Sequence, residues 1–406
     1  AALDGGAGAD MSAGGSVFCG LDVVARDGLK LPGRGRIGLL CNNATVDREL
    51  RGTVEVLTSL AGVRVERIFS PQHGFAGEKQ DNMVESADGV HPPSGIPLIS
   101  LYGRSREPAD GSFEGLDALV IDLPDVGTRV YTFLTTALLC LRAAAPAGLP
   151  VIVLDRPNPI GGEALEGPVL RPGFHSFVGM IPVPLRHGLT AGEYCRFGVR
   201  ALGLDCELTV VPVEGWARDE LFPSSRLPWI PPSPNLPTFE GALVYPGMVL
   251  LEGTNLSEGR GTTRPFELWG APWLDPARVR ARSGEPAGTR LREVAFLPTF
   301  QKHAGTTVRG FHLHVVEEAR FQPVLTAVAL LRAVRRAHPE DFAWSQPPYE
   351  YEMSRPPIDF IAGTDQLRLA IDADVPPAEI AREWTAEIEE YRQRRRDVLL
   401  YPPRDP

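Results

Sequence analysis

Between Ser70 and Ser86 the chain reads SPQHGFAGEKQDNMVES, which crowds Gln72, His73, Glu78 and Glu85 into one polar stretch. Carboxyl groups give or take a proton, an imidazole does the same near neutrality, and amides hold polar ligands by paired hydrogen bonds. Those are the side chains that ligand binding and general acid–base chemistry need. Pro71, Gly74 and Gly77 break regular structure, and no apolar run lies inside the stretch, so it reads as a loop. It follows directly on VRVERIF (Val63–Phe69), a run with the composition of a buried strand.

The same arrangement recurs. The run RIGLLCN (Arg36–Asn42) leads into Asn42 and Asn43, and DALVIDLPD (Asp117–Asp125) leads into Asp125, Arg129 and Tyr131. PVIVLDRPN (Pro150–Asn158) leads into Asp155 and Asn158. Continuous apolar runs of this kind are parallel strands covered on both faces. In an open parallel sheet, ligands bind beyond the carboxyl ends of the strands. Four successive strands ending in amide, acidic, basic and imidazole side chains therefore point to one site on one rim. A second polar group lies further on. PPSPNLP carries Asn235, MVLLEGTN carries Glu252 and Asn255, and SEGRGTTRPF carries Arg260 and Arg264. Tyr245, Trp269 and Trp273 are aromatic platforms beside them, and His175 and His187 fall between the two groups.

These residues need a scaffold, and the sequence specifies one. The runs above, with ELTVVPV (Glu207–Val213), alternate with helical stretches such as YTFLTTALLCLRAAA (Tyr131–Ala145), which PAGLP stops. The expected fold is α/β, a doubly wound parallel sheet. Residues 214–245 are proline-rich and read as an irregular crossing into a second, smaller α+β domain. There RGFHLHVV (Arg309–Val316) alternates like a half-buried strand, with His312 and His314 structural, and FQPVLTAVALLRAVRRA (Phe321–Ala337) is an amphipathic helix. Ile380, Trp384, Ile388 and Tyr391 share one face of another helix. The expected organisation is a leader at 1–16, a first domain at 17–240 and a second at 241–406, with the site in the cleft between them.

Composition removes other classes. A net charge of −10 argues against nucleic acid as a partner. No stretch approaches the roughly 20 apolar residues of a membrane span. The five cysteines show neither C-x-x-C pairs nor zinc spacing, so no metal or disulfide framework is expected. Gly33, Gly35 and Gly38 match G-x-G-x-x-G, but they precede a strand instead of linking a strand to a helix, so no nucleotide cofactor is expected.

The motifs GLLCNNATVD, SPQHGF, ISLYG, DLPDVGTRVYT, VIVLDRPNPIGG, GPVL, SFVGMIPVPLRHGLTAGEY, PSPNLP and LEGTNLSEGRGTTRPFELWGAPW, in this order from about Val17 to Tyr401, resemble one bacterial family. It was first described as the domain of unknown function DUF1343 and is associated with exo-β-N-acetylmuramidases of the NamZ type. The resemblance implies a Rossmann-like first domain, an active site in the cleft, and release of N-acetylmuramic acid from the non-reducing end of peptidoglycan fragments. A small carbohydrate, either a muropeptide or the disaccharide of N-acetylmuramic acid and N-acetylglucosamine, is then the partner, and a secreted or periplasmic location is slightly favoured over a cytoplasmic one. One departure stands out: Gln72 occupies the place of a usual glutamate, and the acidic candidates become Glu78 and Glu85.

Under that resemblance Glu85 or Glu78 is the acid on the leaving oxygen. Asp125, Glu252 or the substrate's own acetamido group is the second group. Asn42, Asn43, Gln72, His73, Tyr131, Asp155, Asn158, His187, Asn235 and Asn255 are candidates for holding the sugar, and Asp155 and Asn158 serve equally well as turn residues. Arg129 or Arg260, with Arg264 as a rival, would meet the lactyl carboxylate, although an Arg129–Asp125 ion pair is an equal expectation. A non-catalytic binding protein for the same sugars is the alternative.

Overall fold

The computed structural model describes residues 16–81 and 83–403; the expected leader lies outside them but for its last residue. The chain runs through α1 (Gly20–Asp27), β1 (Arg36–Leu40), α2 (Thr53–Ser59), β2 (Arg64–Ser70), β3 (Gly89–Val90), β4 (Pro97–Ser100) and β5 (Ala118–Ile121). It continues through α3 (Phe133–Ala144), β6 (Val151–Leu154), β7 (Glu166–Val169), β8 (Pro184–Arg186), α4 (Ala191–Ala201) and β9 (Leu208–Val211). Seven of these strands form one sheet in the order β3-β4-β2-β1-β5-β6-β9. All its pairings are parallel except β3 with β4. β7 and β8 make a separate antiparallel pair.

The apolar runs become strands because both faces of the sheet are covered. Ile37, Leu39, Val120, Ile152 and Leu154 pack against α1 and α2. Their neighbours in sequence, Leu40, Leu119, Ile121, Val151 and Val153, join the cluster that holds α3 and α4. This alternation is the period of two that a pleated strand imposes. From β1 the chain winds outward through β2 to β4. It then returns to lay β5 on the other side of β1 and winds on through β6 to β9. The crevice above β1 and β5 is therefore the switch point of the sheet.

The crossing carries the short α5 (Phe222–Ser225), and the second part comprises α6 (Phe239–Met248), β10 (Leu268–Ala271), α7 (Pro276–Ser283), β11 (Thr289–Phe296), β12 (Val308–Val315) and α8 (Pro323–Ala337). The helices α9 (Pro357–Ala362), α10 (Gln366–Asp372) and α11 (Pro377–Arg395) complete it. Its sheet is antiparallel, in the order β10-β12-β11. One apolar cluster runs without interruption from the large sheet through α3 into α6, α8 and α11. That continuity explains α3, in which every residue except Arg142 and Ala143 is buried.

The doubly wound α/β sheet with a second, smaller domain matches the expectation. The irregular crossing ends earlier than its proline content suggests. Thr238 accepts from the Gly241 N–H and caps α6, which tolerates Pro246 in its interior. MVLLEGTN forms the end of α6 and a 3-10 turn over Val249–Gly253. Gly33 and Gly35 lie before β1, at the opposite edge of the sheet from the polar loops. A side chain on Gly35 would strike the Gly62 carbonyl, so that glycine serves close packing.

Candidate active site between the sheet and the second domain

A pocket of about 460 Å³, its mouth included, opens between the carboxyl rim of the large sheet and the second domain. The loop after β2 brings Gln72 and His73 to it, and the turn before α3 brings Tyr131 and Thr132. Ser233 and Asn235 come from the crossing, Tyr245 from α6 and Glu252 from the 3-10 turn that follows it. Arg260 and Phe266 come from the glycine-rich loop, and Tyr349 and Glu350 from the loop ahead of α9.

Two carboxyl groups dominate its chemistry. Glu252 accepts from Arg260 Nη2 at 2.6 Å and from the Tyr349 hydroxyl at 2.9 Å. Glu350 accepts from the Tyr102 hydroxyl at 2.6 Å and from Gln72 Nε2 at 3.3 Å. Gln72 is oriented in turn by Thr132, whose hydroxyl donates to Oε1 at 2.7 Å. Burial pushes the Glu350 carboxyl above the usual range; its hydrogen bonds from Tyr102 and Gln72 pull it back, and the nearby negative charge of Glu252 adds to the rise. Burial alone would lower the pKa of Arg260, but Glu252 and Glu258 hold it above its ordinary value. Glu258 is also paired with Lys302, 3.0 Å away. Of the five charged groups Glu252, Glu258, Glu350, Arg260 and Lys302, three are acidic, and among the described residues Glu350 is the acidic one without a cation in direct contact.

His73 sits in the left-handed region at φ +73° and Gly74 follows at φ +78°, so the chain reverses sharply after β2. Its Nδ1 lies 2.6 Å from the Lys79 carbonyl, which can only accept, so Nδ1 carries the proton and Nε2 is the lone-pair nitrogen. Burial pushes its pKa down to about 4, so the imidazole is neutral at physiological pH. Asn235 Oδ1 is buried without a hydrogen-bond partner among the described residues, and the buried Tyr131 hydroxyl has only Ser233 of the same pocket beside it. Buried polar atoms are seldom left so unless something else meets them. Burial also raises the Tyr131 pKa, so the phenol keeps its proton as a donor.

Of the residues expected from sequence, the pocket thus gathers Gln72, His73, Tyr131, Asn235, Glu252 and Arg260. The others stand elsewhere, each for a visible reason. Glu78 is exposed, with its carboxylate folded back over Gly74. Glu85 is 55% exposed in its side chain and is tied at the rim by the Tyr351 hydroxyl at 2.9 Å. Asp125 keeps Oδ2 on the Gly127 N–H at 2.8 Å, with His187 Nε2 at 3.3 Å. It faces a neighbouring cavity, and His187 beside it is fully buried.

Asp155 is spent on structure. It accepts from Thr190, Tyr401, Gly192 N–H and Arg156 N–H, and burial pushes its pKa up to about 6. Asn158 closes its own turn, accepting from Ile160 N–H and donating to the Leu189 carbonyl. Asn255 clamps Asp341 and Ala343 of a neighbouring loop. Asn42 donates to the Pro232 carbonyl, and Asn43 to the Ala76 carbonyl.

Arg129 neither meets a carboxylate in the cleft nor pairs with Asp125. It donates to the carbonyls of Pro168, Val183 and Ile361, and burial lowers its pKa to about 10. Arg264 reaches Glu267 from the surface. Trp269 is buried against Phe311, and Trp273 packs on His338, so of the three aromatic platforms only Tyr245 lines the pocket. Sequence reasoning missed Glu350, Tyr349 and Tyr102. For Tyr349 and Glu350 the signal was PPYEYE, an acidic and aromatic stretch after two prolines, which lies far from any end of a strand in the large sheet; Tyr102 stands just after β4, in ISLYG.

Comparison with known proteins agrees with this architecture. Residues 37–240 match the family model of the N-terminal domain of exo-β-N-acetylmuramidase NamZ, and residues 243–401 match that of its C-terminal domain. The chain is 36% identical over 387 residues to the peptidoglycan β-N-acetylmuramidase NamZ of Bacillus subtilis, covering 95% of this chain and 91% of the relative. A crystal structure of a DUF1343 family protein from Bacteroides fragilis superposes with a TM-score of 0.83 at 28% identity, covering 95% of this chain and 99% of the other. A second such protein from the same organism gives 0.72 at 28% identity, covering 96% of this chain and 100% of the other. With both family models matched in order over nearly its whole length, this chain belongs to the NamZ exo-β-N-acetylmuramidase family.

Proposed function

We propose that the protein is an exo-β-N-acetylmuramidase, a glycosidase that hydrolyses terminal N-acetylmuramic acid from the non-reducing end of peptidoglycan fragments during cell-wall turnover. The observation that carries this beyond family membership is the pairing of Glu252 and Glu350 on one pocket, one carboxylate clamped by a cation and the other carboxyl pushed toward its neutral form. Two carboxyl groups in contrasting environments are the pattern of an acid and its anionic partner.

Glycoside hydrolysis requires a proton on the leaving oxygen as the bond to the anomeric carbon breaks. Glu350 is the group to supply it, since burial favours its protonated form. Glu252 faces the developing oxocarbenium charge. His73 Nε2, the Tyr131 hydroxyl and Asn235 Oδ1 hold sugar hydroxyls and the acetamido group. Arg106 stacks between Tyr102 and Tyr351, with 4.0 and 4.3 Å from its guanidinium carbon to the ring centroids; it lies 3.8 Å from Glu85 and donates to the Gly103 carbonyl, and it is the rim cation that the lactyl carboxylate would share with Glu85. In this reading Glu85 orders the rim through Tyr351.

The test is release of free N-acetylmuramic acid from a disaccharide with that sugar at its non-reducing end. Tight binding of the disaccharide with no release over days would reject the hydrolase and leave a binding protein.

A further inference from the structure

A second cavity, about 610 Å³ with its mouth, lies along the same rim. It sits over the ends of β1, β5 and β6, at the switch point of the sheet. Pro124 and Pro157 wall it from the strand loops, and half-buried Trp229 and Ile230 wall it from the crossing. Trp229 is fixed in place: its indole N–H donates to the Leu236 carbonyl at 3.2 Å, and Phe222 packs edge-on at 5.0 Å.

The polar groups around it are mostly spent. Asp47 holds Arg51, and Arg156 holds Asp122. Arg48 lays its guanidinium over the Phe18 ring, 4.6 Å from the centroid, and leaves a cation on the lining. The acceptor left open is Asp125. It is 8% exposed, and its Oδ1 is buried with no hydrogen-bond partner among the described residues. The cavity also adjoins the catalytic pocket. Pro232 lines one and Ser233 the other, and the Asn42 amide pins this partition through the Pro232 carbonyl at 3.2 Å. Asp125 stands close enough to act electrostatically on Tyr131 and Tyr245 in the neighbouring pocket.

We propose that this cavity is the subsite for the leaving saccharide, whose pyranose ring rests its apolar face on Trp229 and donates a hydroxyl to Asp125 Oδ1. A sugar ring has one carbon-bound hydrogen face and a rim of hydroxyls, which a fixed indole beside a vacant acceptor suits. A wholly apolar ligand leaves Asp125 Oδ1 unpaired at a cost. Contacts here are open only to a substrate long enough to span both cavities. Such remote binding energy accelerates the bond cleavage next door. The inference rests on the hydrolase reading.

The experiment uses two substrates of the full-length protein. One is the β-1,4 disaccharide of N-acetylmuramic acid and N-acetylglucosamine. The other is N-acetylmuramyl β-fluoride, whose single-atom leaving group cannot reach the second cavity. Trp229→Ala removes the platform, and Ile230→Trp fills the mouth from a half-buried position, so the test survives if the first variant fails to fold. For either folded variant, kcat/KM for the disaccharide falls about tenfold or more, while the fluoride stays within about twofold. Equal losses on both substrates, or no loss on either, overturn the subsite. A wild-type protein that cleaves neither substrate overturns the hydrolase reading and the subsite with it, so the two failures are distinguishable.

Discussion

Glu350→Gln is the perturbation that most sharply separates the roles assigned here. The amide keeps the size of the side chain and a hydrogen-bonding pattern to Tyr102 and Gln72, but it carries no transferable proton. Those two bonds are worth about 0.5–1.5 kcal/mol each, so even their complete loss costs the fold no more than about 3 kcal/mol. Loss of a general acid costs about a hundred- to ten-thousandfold in rate, or about 3–5 kcal/mol of barrier. The assay is kcat/KM on the disaccharide beside that on N-acetylmuramyl β-fluoride, whose leaving group needs far less protonation. Glu350→Gln loses at least about a hundredfold on the disaccharide and much less on the fluoride, with a melting temperature close to wild type. The pH dependence must agree in sign. Because burial raises the Glu350 pKa, the acid form persists above the ordinary glutamate range, and kcat/KM declines as pH rises through that raised value. The variant lacks this alkaline limb. Retention of activity within about tenfold by Glu350→Gln, with a collapse in Glu85→Gln or Glu78→Gln, would refute the assignment.

Other consequences follow from the buried charges. Arg129→Lys loses the planar fork that reaches three carbonyls, and it unfolds at lower temperature by the equivalent of about 3 kcal/mol while KM of the folded protein is unchanged; a raised KM with unchanged melting would instead place Arg129 on the substrate. Arg260→Met leaves Glu252 and Glu258 buried without their shared cation, which costs about 3–5 kcal/mol in chemical denaturation. An unchanged denaturation midpoint would contradict it. His73 takes up its proton near pH 6.5 in the unfolded chain but only at about 4 in the folded one, so the unfolded state binds more protons between those values. Stability therefore falls as pH drops through that window, by about 3 kcal/mol. His73→Asn, a residue that tolerates positive φ, removes this share of the slope; parallel stability curves for the two proteins would rule it out.

The doubly wound sheet was legible because strands covered on both faces write themselves as unbroken apolar runs, as β5, β6 and all but the first residue of β1 do, while β2 (RVERIFS) and the edge strand β9 are only partly buried. Their residue types also marked the rim, since Gln72 and His73 stand where a ligand must approach. What misled was the step from a polar side chain to a free one. Asp155 and Asn158 sit at a strand end because the turn there needs acceptors, and Arg129 follows Asp125 in sequence yet points into packed carbonyls. Sequence spacing carries no record of where a long side chain is satisfied. Glu350 was invisible for the complementary reason. It comes from an irregular loop of the second domain, 278 residues from the Gln72 amide it meets, and no local periodicity announces such a contact.

The most direct measurement is a crystal structure of the protein with N-acetylmuramic acid bound. The sugar is expected between the Gln72–Tyr131 wall and the Glu252–Glu350 wall, with its anomeric oxygen beside Glu350 and its lactyl carboxylate toward Arg106. A sugar bound instead on the exposed Glu78 loop, or with its anomeric centre turned away from both carboxyl groups, would contradict that placement.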